Sequence, residues 1–332
     1  MVAASSRTPD PERFGWDSSV AGGVDAVQMD ASDAARVETV TRGIDAVCYL
    51  VHGLSAPGFR SRDRRAAAHM RDAVTANGVG RVVYLSGLVP DVPTHQLSAH
   101  IASRLEVEQI LLEAQSAVLS LRAGVVVGAG STSFEIIRQT ASTLLVQPVP
   151  TWMHSLVQPI AVSDVIRVLA DALEGDAVGD ADIGGPDVLS YPQLLELYAE
   201  LADLPRVQVP VVGAPVGAVA LAAGLVSAAP YWTAASLVQS LRHDMVCRPG
   251  QPDPATVDLT DALPLREAMQ QALMPDGESG RPSSRRPSDP AWVRSSLVER
   301  SLVATGLPGS ALAGAALHVA EHRLRGLLGL IV

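Results

Sequence analysis

Short apolar runs alternate with helix-like segments through the first 130 residues. Four runs rich in β-branched residues have the length of buried strands: Val24–Met29, Asp45–Val51, Arg81–Ser86 and Ala117–Val127. Helices are predicted between them, at Ser32–Thr41, Asp63–Asn77 and His100–Gln115. Parallel strands need a crossover of a dozen or more residues, which is usually a helix. The alternation therefore predicts parallel βαβ units and a doubly wound α/β sheet.

Polar residues mark where several helices begin and end. Ser32 or Asp33 is suited to cap the first helix, because its side-chain oxygen can accept from an unpaired backbone N–H. Ser163 is suited in the same way to begin a later helix. The pair Asn77-Gly78 is typical of a helix end.

The pattern changes after Pro148. Short β segments are predicted at Pro159–Ala161 and Ala181–Gly184, and helices at Ser163–Leu173, Tyr191–Leu204 and Leu265–Leu273. The apolar segment Val211–Ala229 is about as long as a membrane span. It is bounded by prolines and rich in Gly and Ala, so a buried or interface helix is favoured over a membrane helix.

Four regions follow from these patterns. Residues 1–147 are predicted to form the first part of one α/β domain, and residues 148–274 the rest of the same domain with a smaller subdomain. Residues 275–291 are a polar Pro/Ser/Gly linker that we expect to be disordered. Residues 292–332 are an apolar tail for which the sequence predicts no definite structure.

Composition excludes several classes of function. Apolar residues make up 48% of the 332 residues and charged residues 18%, so a large core can form. A net charge of −10 disfavours nucleic acid as the partner. Two cysteines without a C-x-x-C spacing argue against a zinc or redox site, and we predict no metal. No apolar signal segment opens the chain, so we expect a cytoplasmic protein without a membrane partner.

Candidate binding residues lie where the predicted strands end. Open α/β sheets bind ligands at the carboxyl ends of their strands. A dinucleotide's phosphates are usually held by a glycine-rich turn that opens the first helix. No G-x-x-G-x-x-G occurs near the N-terminus, and Gly22-Gly23 precedes a strand instead of following one.

Five motifs in order carry a specific resemblance. They are VVYLSG (82–87), HIASRLEVEQIL (100–111), SLRAGVVVGAGS (120–131), QPIAVSDV (158–165) and DIGGPDVLSY (182–191). Together they resemble the atypical or extended short-chain dehydrogenase/reductases, most closely the NmrA-like NAD(P)H-binding branch. The resemblance implies that Val2–Arg7 corresponds to the end of the second strand. The glycine-rich strand and helix that would precede it are then expected to be absent.

The resemblance implies that residues 1–147 are a partial Rossmann-like NAD(P)-binding region, with NADP favoured over NAD, and that the subdomain within residues 148–274 lies on the substrate side. Arg7 corresponds to the arginine that grips the 2′-phosphate of NADP, a role that suits a guanidinium. Asp30 corresponds to a carboxylate beside the adenine amino group, and Leu50 and Val51 would line the adenine and ribose. The sequence leaves two alternatives open, namely that Arg7 is a solvated surface residue and that Asp30 only stabilises a helix N-terminus.

The same resemblance implies a catalytic centre at Ser86, His100 and Arg104. Ser86 corresponds to the serine after the central strand. His100 and Arg104 stand in the Tyr-x-x-x-Lys window, at a spacing that puts both on one helical face. The tyrosine of that pair protonates a carbonyl oxygen as hydride arrives, and the lysine holds the nicotinamide ribose. Histidine can donate a proton near neutrality, whereas arginine can bind the cofactor but does not titrate.

Two hypotheses follow. The first is an NAD(P)-dependent oxidoreductase with a small carbonyl or hydroxyl substrate, its activity compromised. The second is a non-catalytic NAD(P)H-sensing or scaffold protein. The sequence leaves the substrate and any homo-oligomer open. If the first strand is absent, residues 1–30 should either pair directly with Asp45–Val51 or detach from the sheet.

Overall fold

The computed structural model describes residues 2–7, 24–53, 58–226, 231–253 and 256–273. Their strands are β1 Val2–Ser6, β2 Val24–Gln28, β3 Ala46–Tyr49, β4 Arg81–Gly87, β5 Ala117–Ala123, β6 Val126–Val127, β7 Val146–Pro150, β8 Leu156–Val157, β9 Ile160–Ala161, β10 Gly179–Ile183, β11 Leu189–Ser190 and β12 Val207–Val211. Their helices are α1 Ala34–Val40, α2 Phe59–Ala76, α3 Ala99–Leu112, α4 Thr132–Thr143, α5 Val162–Glu174, α6 Tyr191–Leu201, α7 Val216–Val226, α8 Tyr231–Ser240 and α9 Leu265–Leu273. The predicted linker at 275–291 and tail at 292–332 lie outside the described residues.

The main sheet confirms the predicted doubly wound architecture. Its four strands run parallel in the order β10-β5-β4-β3. Alternate residues of β4 point to opposite faces, as the two-residue period of a strand requires. Val82 packs in a core with Met70 of α2 and Val107 of α3. Val83 packs instead in a core with Val165 of α5, so helices cover both faces of the sheet.

The first two strands form a separate pair. β1 and β2 run parallel in register from Val2 against Val24 to Ser6 against Gln28, and neither is hydrogen-bonded to β3. The pair is held by its helix, because α1 packs against α2 and Met29 joins the same core as β4. Direct pairing with Asp45–Val51 was therefore wrong for the described strands: β1 and β2 are separate from the main sheet, and α1 packs them beside it.

Several predicted bounds need correction. The strand predicted at Ala117–Val127 breaks at Gly124, where a Cβ atom would lie 1.9 Å from the carbonyl oxygen of Gln158. The break lets β6 leave the main sheet and pair with β9. α5 begins one residue before Ser163, with Ala161 as its N-cap, so Ser163 is not the cap. The first helix is capped by Asp33, as predicted, through its bond from the Arg36 N–H.

The second half of the chain builds a smaller subdomain beside the sheet. Phe134 of α4 meets Tyr198 of α6 edge to face, with ring centroids 6.1 Å apart. Met269 of α9 closes the same core. β7 pairs with β12, which the sequence did not predict. α7 is an eleven-residue helix, and no helix in the described ranges is long and apolar enough to cross a membrane.

Candidate functional site

A pocket of about 310 Å³ opens at the carboxyl ends of β4 and β5. Its floor is the end of β4 and the chain around Gly124, and its walls come from α3, α4 and α8. This is the edge at which parallel α/β sheets bind their ligands. All three predicted catalytic residues line it: Ser86, His100 and Arg104.

Ser86 brings a buried hydroxyl to the pocket. It is the sixth residue of β4, and only 3% of its surface is exposed. Its Oγ atom makes no hydrogen bond of full geometry with a described residue, although the Tyr84 hydroxyl lies near enough to interact with it. A buried polar group without a full hydrogen bond costs free energy. Ser86 can therefore gain from a hydrogen bond to a ligand in the pocket.

Arg104 brings a positive charge to the same place. Its Nη1 atom donates to the carbonyl oxygen of Leu85 at 3.1 Å, and its Nε atom donates to Nε2 of His100 at 3.3 Å. No carboxylate of the described residues lies within 4.0 Å of the guanidinium. Gly87 leaves room for the arginine stem, because a Cβ there would lie 3.4 Å from Arg104 Cδ. The guanidinium is thus oriented by the protein and keeps N–H groups for a ligand.

His100 is held neutral. Its burial, the charge of Arg104 and the nearby His52 together hold the pKa of His100 well below the ordinary histidine value. Because Nε2 accepts from Arg104, the ring proton is on Nδ1. Proton donation by His100 near neutral pH stays a prediction, and this environment works against it. The contact with Arg104 gives His100 a second role, which is to orient the guanidinium.

The predicted cofactor residues near β1, β2 and β3 lie outside this pocket. Arg7 is exposed, and its carbonyl oxygen accepts from Gln28 Nε2 at 3.1 Å. Asp30 Oδ1 accepts from the Ser32 N–H at 2.9 Å, and these bonds to Ser32 hold the pKa of Asp30 below its usual value. The positive charge of Arg7 adds a smaller effect in the same direction. The two residues are therefore near one another at the surface.

Leu50 and Val51 differ in burial. Leu50 is 50% exposed, whereas Val51 packs against the core beneath α2 and α3. Neither lines the pocket, but the next residue, His52, does. Just after β3, the chain therefore passes from an exposed position at Leu50 to the edge of the pocket at His52.

Sequence reasoning missed two contributions to the pocket. Tyr191, the first residue of α6, lines it, and burial raises the pKa of this phenol, so that it stays protonated. Leu237 and Leu241, from α8 and the residue after it, form one wall together with Met245. Ser190 and Gln193 make a capping box that predicts where α6 begins. Nothing in the sequence indicates which helix faces end up beside Ser86.

The wall formed by α8 is fixed by polar contacts at the C-terminal end of the helix and in the segment that follows. Ser240 Oγ lies 2.9 Å from Ser98 Oγ, and Ser98 is the N-cap of α3. Beyond α8, Asp244 accepts from the Leu156 N–H at 2.8 Å. The chain then reaches Arg248, which bonds to Asp182 of β10. The wall is thus tied to the helix that carries Arg104 and to the main sheet.

The Arg122 network, defined as Glu108, Arg122, Asp180, Asp182 and Arg248, links these elements inside the protein. Arg122 donates to both oxygens of the buried Glu108, at 3.0 and 2.5 Å, and lies 3.0 Å from Asp180. Arg248 pairs with Asp180 and Asp182, which hold the pKa of Arg248 above its usual value. The network joins α3, β5 and β10 to the segment that follows Met245.

Within the described ranges, no group of three or more His, Cys, Asp or Glu residues is arranged to hold a metal ion. Both cysteines, Cys48 and Cys247, are free thiols.

Comparison with known proteins identifies the fold. No family profile and no curated protein sequence matches the chain. The crystal structure of gox2253 superposes with a TM-score of 0.60 at 17% identity, over 81% of this chain and 88% of that one. The chain has a Rossmann-type fold. At this identity the likeness establishes the fold alone.

Two further Rossmann-type structures were solved with a cofactor. The Bordetella bronchiseptica enzyme WbmH, in complex with NAD+, has a TM-score of 0.57 at 17% identity, over 82% of this chain and 88% of that one. The Citrobacter sp. triphenylmethane reductase, complexed with NADP(H), has a TM-score of 0.57 at 16% identity, over 76% and 84%.

Proposed function

We propose that this protein is an NAD(P)-dependent oxidoreductase of the atypical short-chain dehydrogenase/reductase type, in the NmrA-like branch. The observation that supports this most strongly is the meeting of Ser86, His100 and Arg104 in one pocket at the ligand-binding edge of a Rossmann-type sheet. These three residues stand at the positions where the resembled superfamily has its catalytic serine, tyrosine and lysine. Structures of the same fold were solved with NAD+ and with NADP(H).

The pocket's polar groups fit the nicotinamide end of such a cofactor. The Ser86 hydroxyl lacks a hydrogen bond of full geometry, and the Arg104 guanidinium, which donates to Leu85 and His100, keeps further N–H groups for a ligand. Hydroxyls of the nicotinamide ribose and a substrate carbonyl oxygen are acceptors of the right kind. When bound, the cofactor would supply or accept the hydride.

The protein's own residues would act on the substrate oxygen. Ser86 would donate a hydrogen bond to the carbonyl oxygen, and the charge of Arg104 would stabilise the negative charge that develops there. His100 would hold Arg104 in position through the Nε–Nε2 contact. The site lacks the tyrosine–lysine pair as its proton donor, so we expect slow turnover.

One observation favours a second candidate, a protein that binds NAD(P)H without catalysis. The low pKa of His100 leaves no imidazolium in the pocket at neutral pH. Ser86 and Arg104 would then serve binding alone. In this case reduced and oxidised cofactor would bind, and no carbonyl compound would be turned over.

The preference for NADP over NAD is also a proposal, and substitution of Arg7 tests it. An exposed guanidinium at the end of β1 can bond to a 2′-phosphate that NAD lacks. Arg7→Ala should weaken NADPH binding by about 1–3 kcal/mol and leave NADH binding nearly unchanged. Arg42→Ala, an exposed arginine paired with Glu38 on α1, is the matched control. Equal losses for both cofactors would remove Arg7 from the site.

Oxidation of NADPH in the presence of a panel of aldehydes and ketones tests the main proposal. Ser86→Ala should lower kcat/KM about 100-fold, as expected for the loss of one donor to the reacting oxygen. His100→Phe should lower kcat by releasing Arg104 from its position, while the cofactor stays bound. Ser61→Ala, on the surface of α2, should have no effect. Unchanged turnover in Ser86→Ala would contradict the mechanism, and cofactor binding without any turnover would favour the sensor.

A further inference from the structure

We infer that the substrate is an uncharged, mainly apolar carbonyl compound, with its carbonyl oxygen at Ser86 and its body against the α4–α8 wall. This wall is defined as Ile136, Ile137, Leu237, Val238, Leu241 and Met245. The inference rests on the proposed function and specifies the substrate class of that same pocket.

The α4–α8 wall is aliphatic over two helices. Ile136 and Ile137 project from α4, and Leu237 and Val238 from α8. Ile137 belongs to the buried core of the subdomain, and Ile136 packs with Ala234, so both are fixed in place. Apolar ligand surface gains free energy against such a wall, roughly in proportion to the area it removes from water.

The distribution of charge in the pocket also favours an uncharged substrate. No aspartate or glutamate of the described residues lines it, and Arg104 is its single guanidinium or ammonium group. Two glutamates on the helices that line the pocket already form ion pairs, Glu135 with Arg138 and Glu108 with Arg122. A diphosphate group, such as that of a nucleotide sugar, would enter an aliphatic space with one cation, which the proposed function already assigns to the nicotinamide ribose and the reacting oxygen. Burying such a charge without partners is costly.

Polar contacts hold the α4–α8 wall in place, while Met245 at its end can adapt its conformation. The Ser98–Ser240 contact ties α8 to α3, and the Arg122 network anchors the chain after Met245. Met245 itself is partly buried at the end of the wall, and methionine fills irregular gaps well. A rigid aliphatic slot with one adaptable residue selects for shape and apolar area, and the other polar side chains that line the pocket, such as Thr132 and Ser240, are uncharged.

A matched pair of ketones tests the inference without needing turnover. The probes are 4-acetylbiphenyl and 4′-acetylbiphenyl-4-carboxylate, which differ by one charge at the end opposite the carbonyl. Their dissociation constants are measured by ligand-observed NMR with NADPH present and absent, and UDP-glucose is added as a competitor. We expect the uncharged ketone to bind about tenfold or more tightly than the carboxylate. UDP-glucose should not displace it.

Two variants locate the binding. Leu237→Gln places an amide in the wall and should weaken binding of 4-acetylbiphenyl about fivefold or more. Leu221→Gln, at a 46% exposed leucine of α7 outside the pocket, should leave it unchanged. Equal or tighter binding of the carboxylate, displacement by UDP-glucose, or no effect of Leu237→Gln would overturn the inference. Ketone binding at the wall by a protein that binds no NADPH would instead overturn the proposed function and leave the apolar specificity standing.

Discussion

The two ends of the ligand-binding edge are built very differently. At β4 and β5 the protein encloses a pocket in which a buried hydroxyl, a neutral histidine and an oriented guanidinium meet. At β1 and β2 the predicted cofactor residues Arg7 and Asp30 are exposed at the surface. The 332 residues contain no G-x-x-G-x-x-G to cradle a pyrophosphate between these ends.

The difference follows from how the strands are paired. β4 has a hydrogen-bonded parallel neighbour on each side, and five of its seven residues are buried. β3 is the edge of the main sheet, and three of its four residues are only partly buried. Within the described part of the chain, the β1–β2 pair has no third strand. The proposed catalytic groups therefore lie at a buried strand that is hydrogen-bonded on both sides. The proposed adenosine contacts lie at strands with fewer hydrogen-bonded neighbours.

The largest expected effect is on amide exchange. Two-stranded sheets are marginal by themselves, whereas buried central strands open only when the whole domain unfolds. Amides of β2, Val24–Gln28, should exchange about a thousandfold faster or more than those of β4, Arg81–Gly87. Hydrogen–deuterium exchange read by mass spectrometry measures both segments in one experiment, with β5 as the internal reference. Equally slow exchange in β2 and β4 would mean that the two regions form one cooperative sheet.

The next effect concerns the Arg122 network that anchors the pocket wall. Glu108→Ala leaves Arg122 largely buried without its main partner, which should lower the free energy of unfolding by about 3 kcal/mol. Chemical denaturation with a single transition would measure it. Glu106 lies on the same helix as Glu108 and forms more exposed ion pairs with Arg60 and Arg64 of α2. Glu106→Ala should lower the free energy of unfolding by about 1 kcal/mol or less. Similar costs for the two variants would show that burial of the network does not matter.

The smallest effect is a pH dependence from His100. The folded protein keeps the pKa of His100 far below its unfolded value, so His100 contributes stability above about pH 6.5 that is lost as the pH falls. Between pH 6.5 and pH 5 this loss should reach about 1.5 kcal/mol for the one residue. His100→Phe should remove that part of the slope, while His95→Gln, at an exposed position, should keep it. A wild-type slope that survives in His100→Phe would mean that His100 is not held neutral.

The sequence predicted most of the main sheet, because buried parallel strands have a clear signature. β4 and its neighbours were found as continuous apolar runs bounded by polar residues. The break at Gly124 was missed, since it arises from the approach of Gln158 from a distant part of the chain. α4, β7 and β12 were missed as well. The cross-chain pairing of β7 with β12 has no local signal, and both strands contain a proline.

The candidate site was predicted in part. Ser86, His100 and Arg104 were identified because the motif around them fixes their spacing along a strand and a helix. Tyr191 and the pocket residues of α8 come from segments about 90 to 155 residues further along the chain, and only tertiary packing brings them to the pocket. The neutral state of His100 could not be predicted either, because it depends on burial and on the Arg104 contact.

Titration of NADPH into the 332-residue protein and its Arg104→Met variant tests the central claim, that the dinucleotide binds at the β4–β5 pocket with a weak hold on its phosphates. The account predicts a dissociation constant of about 0.1–1 mM for the wild type, and binding at least about tenfold weaker in the variant. Isothermal calorimetry measures both. A low-micromolar dissociation constant, or equal affinity of the two proteins for NADPH, would contradict it.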